Sequence, residues 1–164
     1  MELLDHLRMR KCDVDLYTGF SCEENVAIFP LFNFGKKRTG SIYYRPNGAK
    51  RVKNHEKGKY YTYITPGETG VFGIESLSFS TCIYLVSGLF KATALHRLGY
   101  TALHVSSVSY RNLKPQLCIM NRPYVAIGDN DAEGAEFARR YGGFQSPMDV
   151  DEMTDFDILE MINA

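Results

Sequence analysis

At 164 residues the chain is long enough for one domain or two small lobes with a real core, and its hydrophobic (45%) and charged (23%) fractions are ordinary for a globular protein. No run of about 18 apolar residues predicts a membrane span, and the start, MELLDHLRMRKCDVD, lacks the apolar stretch of a signal peptide. The formal net charge is zero but segregated: nine of the nineteen Lys and Arg fall from Lys36 to Lys59 against Glu56 alone, and ten of the nineteen Asp and Glu fall from Asp129 onward. A basic lobe suits a polyanion and an acidic one suits metal ions, a pairing that points to nucleic-acid enzymology. Two solvated faces that attract each other would give the same pattern. Four scattered cysteines with no CxxC pair argue against structural zinc and fit the reduced thiols of a cytoplasm.

In chain order, Glu2 to Arg10 predicts at most a short helix, and Ser21 to Glu24 a turn. Val26 to Phe32 reads as a strand in which Pro30 implies an edge position or irregular pairing. A basic turn over Gly35 to Thr39 leads to a returning strand from Ser41 to Arg45, and Pro46-Asn47-Gly48 is a strong turn. Lys50 to Tyr63 interleaves cations with tyrosines, so charges could neutralise phosphates while rings stack on bases. For any single tyrosine, packing on a core is the plainer reading. After Pro66-Gly67 the composition shifts. Thr81 to Val86 reads as strand, Phe90 to Arg97 as helix closed by Gly99, Ala102 to Val105 as strand, and Leu117 to Met120 as a further strand. His96 and His104 are unpaired by spacing and read as surface or sheet-edge residues.

The stretch Tyr124 to Gly143 organises the rest. A short apolar strand breaks at Gly128, Asp129-Asn130-Asp131 follow, and a helix runs from Ala132 to Arg140 with Gly142 and Gly143 past its end. Strand, acidic loop and helix put carboxylates at the carboxyl edge of a sheet, where α/β folds gather ligands. Asp129 and Asp131, two apart, would share a face in an extended segment and make half a Mg²⁺ site. A helix N-cap explains the same residues, and the two roles are compatible. The tail repeats the acidic spacing at Asp149 and Asp151, then adds Asp155 and Asp157, which read by default as helix-terminus charge.

Together these stretches resemble the Toprim catalytic core of bacterial-type and phage DNA primases. IGDNDAEGAEFARR resembles the family's DxD segment including Gly134, and MDVDEM its later acidic pair. YLVSGLFKATALHRLGY resembles the glutamate strand with its helix. NVAIFPLFNFGKKRTGSIYYR resembles the primase hairpin ending in an arginine, here Arg45, and GKYYTYITPGETGVFGIESL the segment carrying Lys59. The resemblance implies an α/β fold: a Toprim-like central parallel sheet flanked by helices over 71–164, preceded by a small basic α+β lobe over 1–70. It implies Mg²⁺ or Mn²⁺ held by Asp129 and Asp131 with support from Asp149 and Asp151. Arg45, Lys59, Lys36, Lys37, Lys53 and Tyr61 would contact template or nucleotide.

Two positions depart from the pattern. Ser87 stands where the family has its glutamate, and Lys91 where it has the following aspartate. A serine hydroxyl is a poor base without an activating neighbour, while an ammonium there could bind phosphate or pair with an aspartate in place of a second ion. The implied function is synthesis of short RNA primers from ribonucleoside triphosphates on single-stranded DNA by metal-assisted nucleotidyl transfer, in the cytoplasm (the host's, if the chain is phage-encoded). The family's zinc-binding and helicase-contacting domains have no counterpart in this sequence, so a separate initiator and a replicative helicase are the expected partners. The alternative is a catalytically weakened Toprim protein that binds single-stranded nucleic acid as an accessory factor in phage replication.

Overall fold

β-Branched and aromatic residues recur in the strands of the first half of the chain, and that half is a meander. The computed structural model describes residues 2–105 and 110–164. After helix α1 (Leu3–Met9), strands β1 (Ser21–Glu23), β2 (Val26–Phe32), β3 (Arg38–Tyr44) and β4 (Tyr60–Ile64) pair antiparallel in sequence. Residues 21–23, expected as part of a turn, pair instead with the start of β2, so that the turn narrows to the residues between the two strands. Pro30 is not on an edge strand. It sits in the gap on one side of β2 between the last β1 pair at Ile28 and the β5 pair at Phe32, where no ladder partner needs its missing N–H. The register of β2 against β3 shifts one residue further on, between Leu31 and Phe32.

The second half is parallel apart from its short first strand, which pairs antiparallel on both sides. Strands β5 (Val71–Phe72), β6 (Ile83–Val86), β7 (Thr101–Val105), β8 (Tyr124–Gly128) and β9 (Gly143–Gln145) complete a sheet of order β4-β3-β2-β5-β7-β6-β8-β9. β6 pairs parallel with both β7 and β8, and β8 with β9. β5 pairs with β2 on one side and β7 on the other, so the expected boundary near residue 70 lies inside one continuous sheet. The helices that connect these strands are α2 (Leu89–Arg97), α3 (Tyr110–Met120) and α4 (Ala132–Tyr141), with α5 (Asp155–Asn163) closing the described chain. No described helix is long and apolar enough to cross a membrane.

Alternation along the central strands splits the core in two. On β6, Tyr84 and Val86 join the cluster that includes Leu7, Tyr17, Phe29, Phe90 and Leu95, while Ile83 and Leu85 join Leu113, Leu117, Phe137 and Tyr141 on the other face. Helices therefore cover both faces of the parallel part, as buried parallel strands require. Two expectations are corrected here. Leu117 to Met120 is the end of α3, not a strand: Leu113 and Leu117, four apart, are buried together while Ile119 is exposed. His96 is not at the surface either. It is buried on α2, with its Nδ1 2.7 Å from the Tyr17 hydroxyl and its Nε2 2.7 Å from the Ala102 carbonyl.

Candidate functional site

The carboxyl ends of β6 and β8 lie side by side, and each opens into a loop that feeds a helix. After β8, the first residues of α4 come very close to the strand end. A Cβ on Gly134 would fall 2.0 Å from the Asp129 carbonyl oxygen, and one on Gly128 2.0 Å from that of Gly134. Only glycines permit this approach, which fixes where the loop between them points. Asp131 is the α4 N-cap, its carboxylate accepting from the Gly134 N–H at 2.6 Å. Gln145 Nε2 donates to the Asp129 and Asp131 carbonyls, both at 2.9 Å, and Asn130 Nδ2 to the Pro147 carbonyl at 3.1 Å. These amides lace the first acidic loop to the segment that leads into the second.

Lys91 joins the two loops. It sits in the first turn of α2, buried, and its ammonium pairs with Asp129 and lies 3.7 Å from Asp149 Oδ1. Asp151 is held separately, by Arg10 at 2.5 Å, and the same guanidinium lies 4.2 Å from the centre of the Phe90 ring. Burial works against the charge of Arg10, but the hydrogen bond and charge of Asp151 outweigh it and raise its pKa. The two acidic loops thus meet at Lys91, and Arg10 engages Asp151 beside them.

Beside them opens a cleft of about 750 Å³, bounded by the end of α1, the faces of β3 and β4, the start of α2 and the loop carrying Asp149. Its walls include Arg10, Lys50, Lys59, Tyr60, Ser87, Lys91, Asp149 and Asp151. Of the expected contact residues, Lys59 faces this cleft. Tyr61 does not: it pairs across the strands with Tyr43, rings 5.7 Å apart, on the face opposite Tyr60 and Thr62. Tyr60, 44% exposed, faces the cleft, where Phe90, also in the lining, is buried. Arg45 does not line it and donates to the Gly58 carbonyl at 3.4 Å. Lys53 is exposed in the loop before β4 and also lies off the cleft. Lys36 and Lys37 sit at the far end of the β2–β3 hairpin, where Lys37 pairs with Glu68 at 3.2 Å.

His104, at the β7 position paired with Val86, lines the floor of the cleft, and burial pushes its pKa down to about 4. Arg10, Tyr60 and the amides of Asn130 and Gln145 are parts of this site that the sequence did not single out. Arg10 carries no local signal at all, because its partner is far away along the chain.

Mg²⁺ or Mn²⁺ was implied by the resemblance, and the donor set can be tested against it. Mg²⁺ demands several oxygens in octahedral array at about 2.0–2.1 Å. Asp131 faces its own helix, Asp129 and Asp149 share an ammonium, and Asp151 is engaged by Arg10. Among the described residues, no three His, Cys, Asp or Glu side chains are grouped to hold an ion. In this arrangement the carboxylates do not fit a divalent cation, because a lysine holds the position between them.

No protein-family model matches the chain, and no curated protein matches it in sequence. Solved structures do. The Aquifex aeolicus primase comprising zinc-binding and RNA polymerase domains superposes with a TM-score of 0.67 at 12% identity, covering 98% of this chain and 54% of that one. A DnaG primase catalytic domain bound to single-stranded DNA gives 0.65 at 12% identity over 98% and 56%, and the E. coli primase catalytic core 0.59 at 17% over 84% and 48%. The chain spans about half the length of these structures. Over nearly its whole length, then, this chain has the fold of the catalytic core of DnaG primases.

Proposed function

We propose that this chain binds single-stranded nucleic acid in the cleft as an accessory to primer synthesis, with nucleotidyl transfer by its own site weakened. The observation that carries this reading is the position of Lys91 between Asp129 and Asp149. Its ammonium offsets one of the two carboxylate charges without an ion, and Ser87, where the resemblance expects a glutamate, offers no carboxylate either. Binding needs less. Lys50 and Lys59 supply charge for phosphates, and Tyr60 supplies a face on which a base can stack, worth about 1–3 kcal/mol. A DnaG catalytic domain of the same fold has been solved bound to single-stranded DNA, which supports placing a strand on this one. The basic lobe and the acidic loops meet at one cleft, so the strand would pass beside the aspartates.

A second reading is favoured by a specific feature: Asp129 and Asp149 still come from two loops to one point. If Lys91 swings away, an ion could enter and primers could be made from ribonucleoside triphosphates on a single-stranded template, with a helicase and a zinc-binding initiator supplied by other chains. One experiment separates the two. Primer synthesis from labelled ribonucleotides is measured for the wild type, for Asp129→Ala with Asp149→Ala, and for Ser87→Glu with Lys91→Asp, alongside binding of a fluorescent single strand in EDTA. Binding in EDTA without product from the wild type, and product from the Glu/Asp variant, supports the accessory reading. Product from the wild type that is lost in the Ala variant supports the enzyme. A wild type that binds no single strand sinks both.

A further inference from the structure

A second concavity, lined by different residues of the loop that also carries Asp149, lies between that loop and α5. It is about 750 Å³ in volume, floored by Phe144, Pro147, Met148, Met153, Met161 and Ile162, with Asp157 and Glu160 at its rim. Met148 is 47% exposed. Two more apolar side chains of α5, Phe156 and Leu159, are also open to solvent. Three of the six floor residues are methionines, flexible and polarizable side chains that adapt to whatever packs on them. A groove of this kind, apolar and adaptable, is a fit for an amphipathic helix laid in lengthwise.

Charge decides among occupants. Beyond Arg140 the chain has six Asp and Glu and no Lys, Arg or His. A nucleic acid or an anionic lipid surface would be repelled by this rim. A second copy docking through the same face would set two acidic rims against each other, since a twofold contact is self-complementary. What remains is a partner whose apolar stripe fills the groove and whose flanking cations meet Asp157 and Glu160. We infer that the α5 groove docks a basic amphipathic helix of a partner protein. The site shares no lining residue with the cleft, so the chain can hold a strand and a partner at once.

The test uses the full chain and a fluorescent peptide of leucine and lysine at amphipathic helical spacing, with a matched peptide carrying glutamate for lysine. Anisotropy should show saturable binding of the lysine peptide that weakens with salt, and none of the glutamate peptide. Glu160→Lys should weaken binding by up to about fivefold, the upper end expected for losing one exposed pair. Met148→Asp is the sharper variant. It adds a negative charge, so general attraction to an acidic surface would tighten, whereas docking in the groove must weaken. Both positions are exposed, and an unchanged urea midpoint checks that the fold survives. Equal binding of the two peptides, tighter or unchanged binding by Met148→Asp, or self-association of the chain that Glu160→Lys abolishes would each overturn the inference.

Discussion

Arg10 and Asp151 stand 141 positions apart in sequence and meet at 2.5 Å, tying the end of the first helix to the second acidic loop. The Asp151 side chain is 7% exposed and that of Arg10 32%. Removing one partner of such a pair leaves the other charge poorly solvated, which costs more than the pair itself contributes. Asp151→Asn should therefore lose about 1–3 kcal/mol, in the range of a hydrogen bond to a charged group. Arg10→Ala should lose more, because its packing over Phe90 goes too. Urea unfolding measures both. A midpoint unmoved in either variant would show that the loop is held by its amides alone.

Lys91 offers a second test, of the idea that an ammonium takes the place of an ion. In Lys91→Ala, Asp129 and Asp149 face each other with no cation between them. Thermal stability should fall in EDTA by several degrees, and millimolar Mg²⁺ should restore part of it, because a ligand that binds only the folded state stabilises it. The wild type should show no such Mg²⁺ dependence. A wild type that Mg²⁺ stabilises as much as the variant would mean the lysine excludes nothing.

What could be read beforehand follows from how local each signal is. The strand, loop and helix around Asp129 were legible because the apolar run, the Asp131 cap and Gly142 lie within one stretch. That Lys91 is an ammonium where the resemblance expects a carboxylate was legible too, and the structure pairs it with Asp129 and Asp149. Arg10 was not, since nothing near it announces Asp151. Alternation says which tyrosines of β4 share a face but not which face is inward, so the sequence does not separate Tyr60 from Tyr61. Pro115 disguised α3, breaking a pattern that only the joint burial of Leu113 and Leu117 reveals. His96 looked like a surface residue because its partner Tyr17 lies 79 positions away.

Burial pushes the pKa of both His96 and His104 down to about 4. In the unfolded chain each takes up its proton near pH 6.5. Between about pH 6.5 and 4 the unfolded state therefore binds more protons, so stability is full above pH 6.5 and falls as the pH drops through that window. Two such groups give a slope of up to about 2.7 kcal/mol per pH unit. Glu75, raised by its own burial, pulls in the opposite direction, so the informative quantity is a difference between variants. His96→Gln should reduce the slope by about 1.4 kcal/mol per pH unit in urea titrations between pH 5 and 6. An unchanged slope would mean that His96 gains its proton without unfolding.

The cleft makes a prediction about which lysines hold nucleic acid. Lys59 lines it beside Tyr60, whereas Lys37 lies at the far end of the hairpin and is paired with Glu68. Each phosphate contact releases counterions, so the logarithm of affinity falls with the logarithm of salt in proportion to the contacts made. Lys59→Ala should weaken binding of a single strand and lower the salt slope by about 0.7, one contact's share on single-stranded nucleic acid. Tyr60→Ala should lose about 1–3 kcal/mol with the slope unchanged, because stacking releases no ions. Lys37→Ala should change neither. These three responses distinguish a strand in the cleft from one lying along the whole basic lobe, where Lys37 would count as much as Lys59 and Tyr60 would count for little.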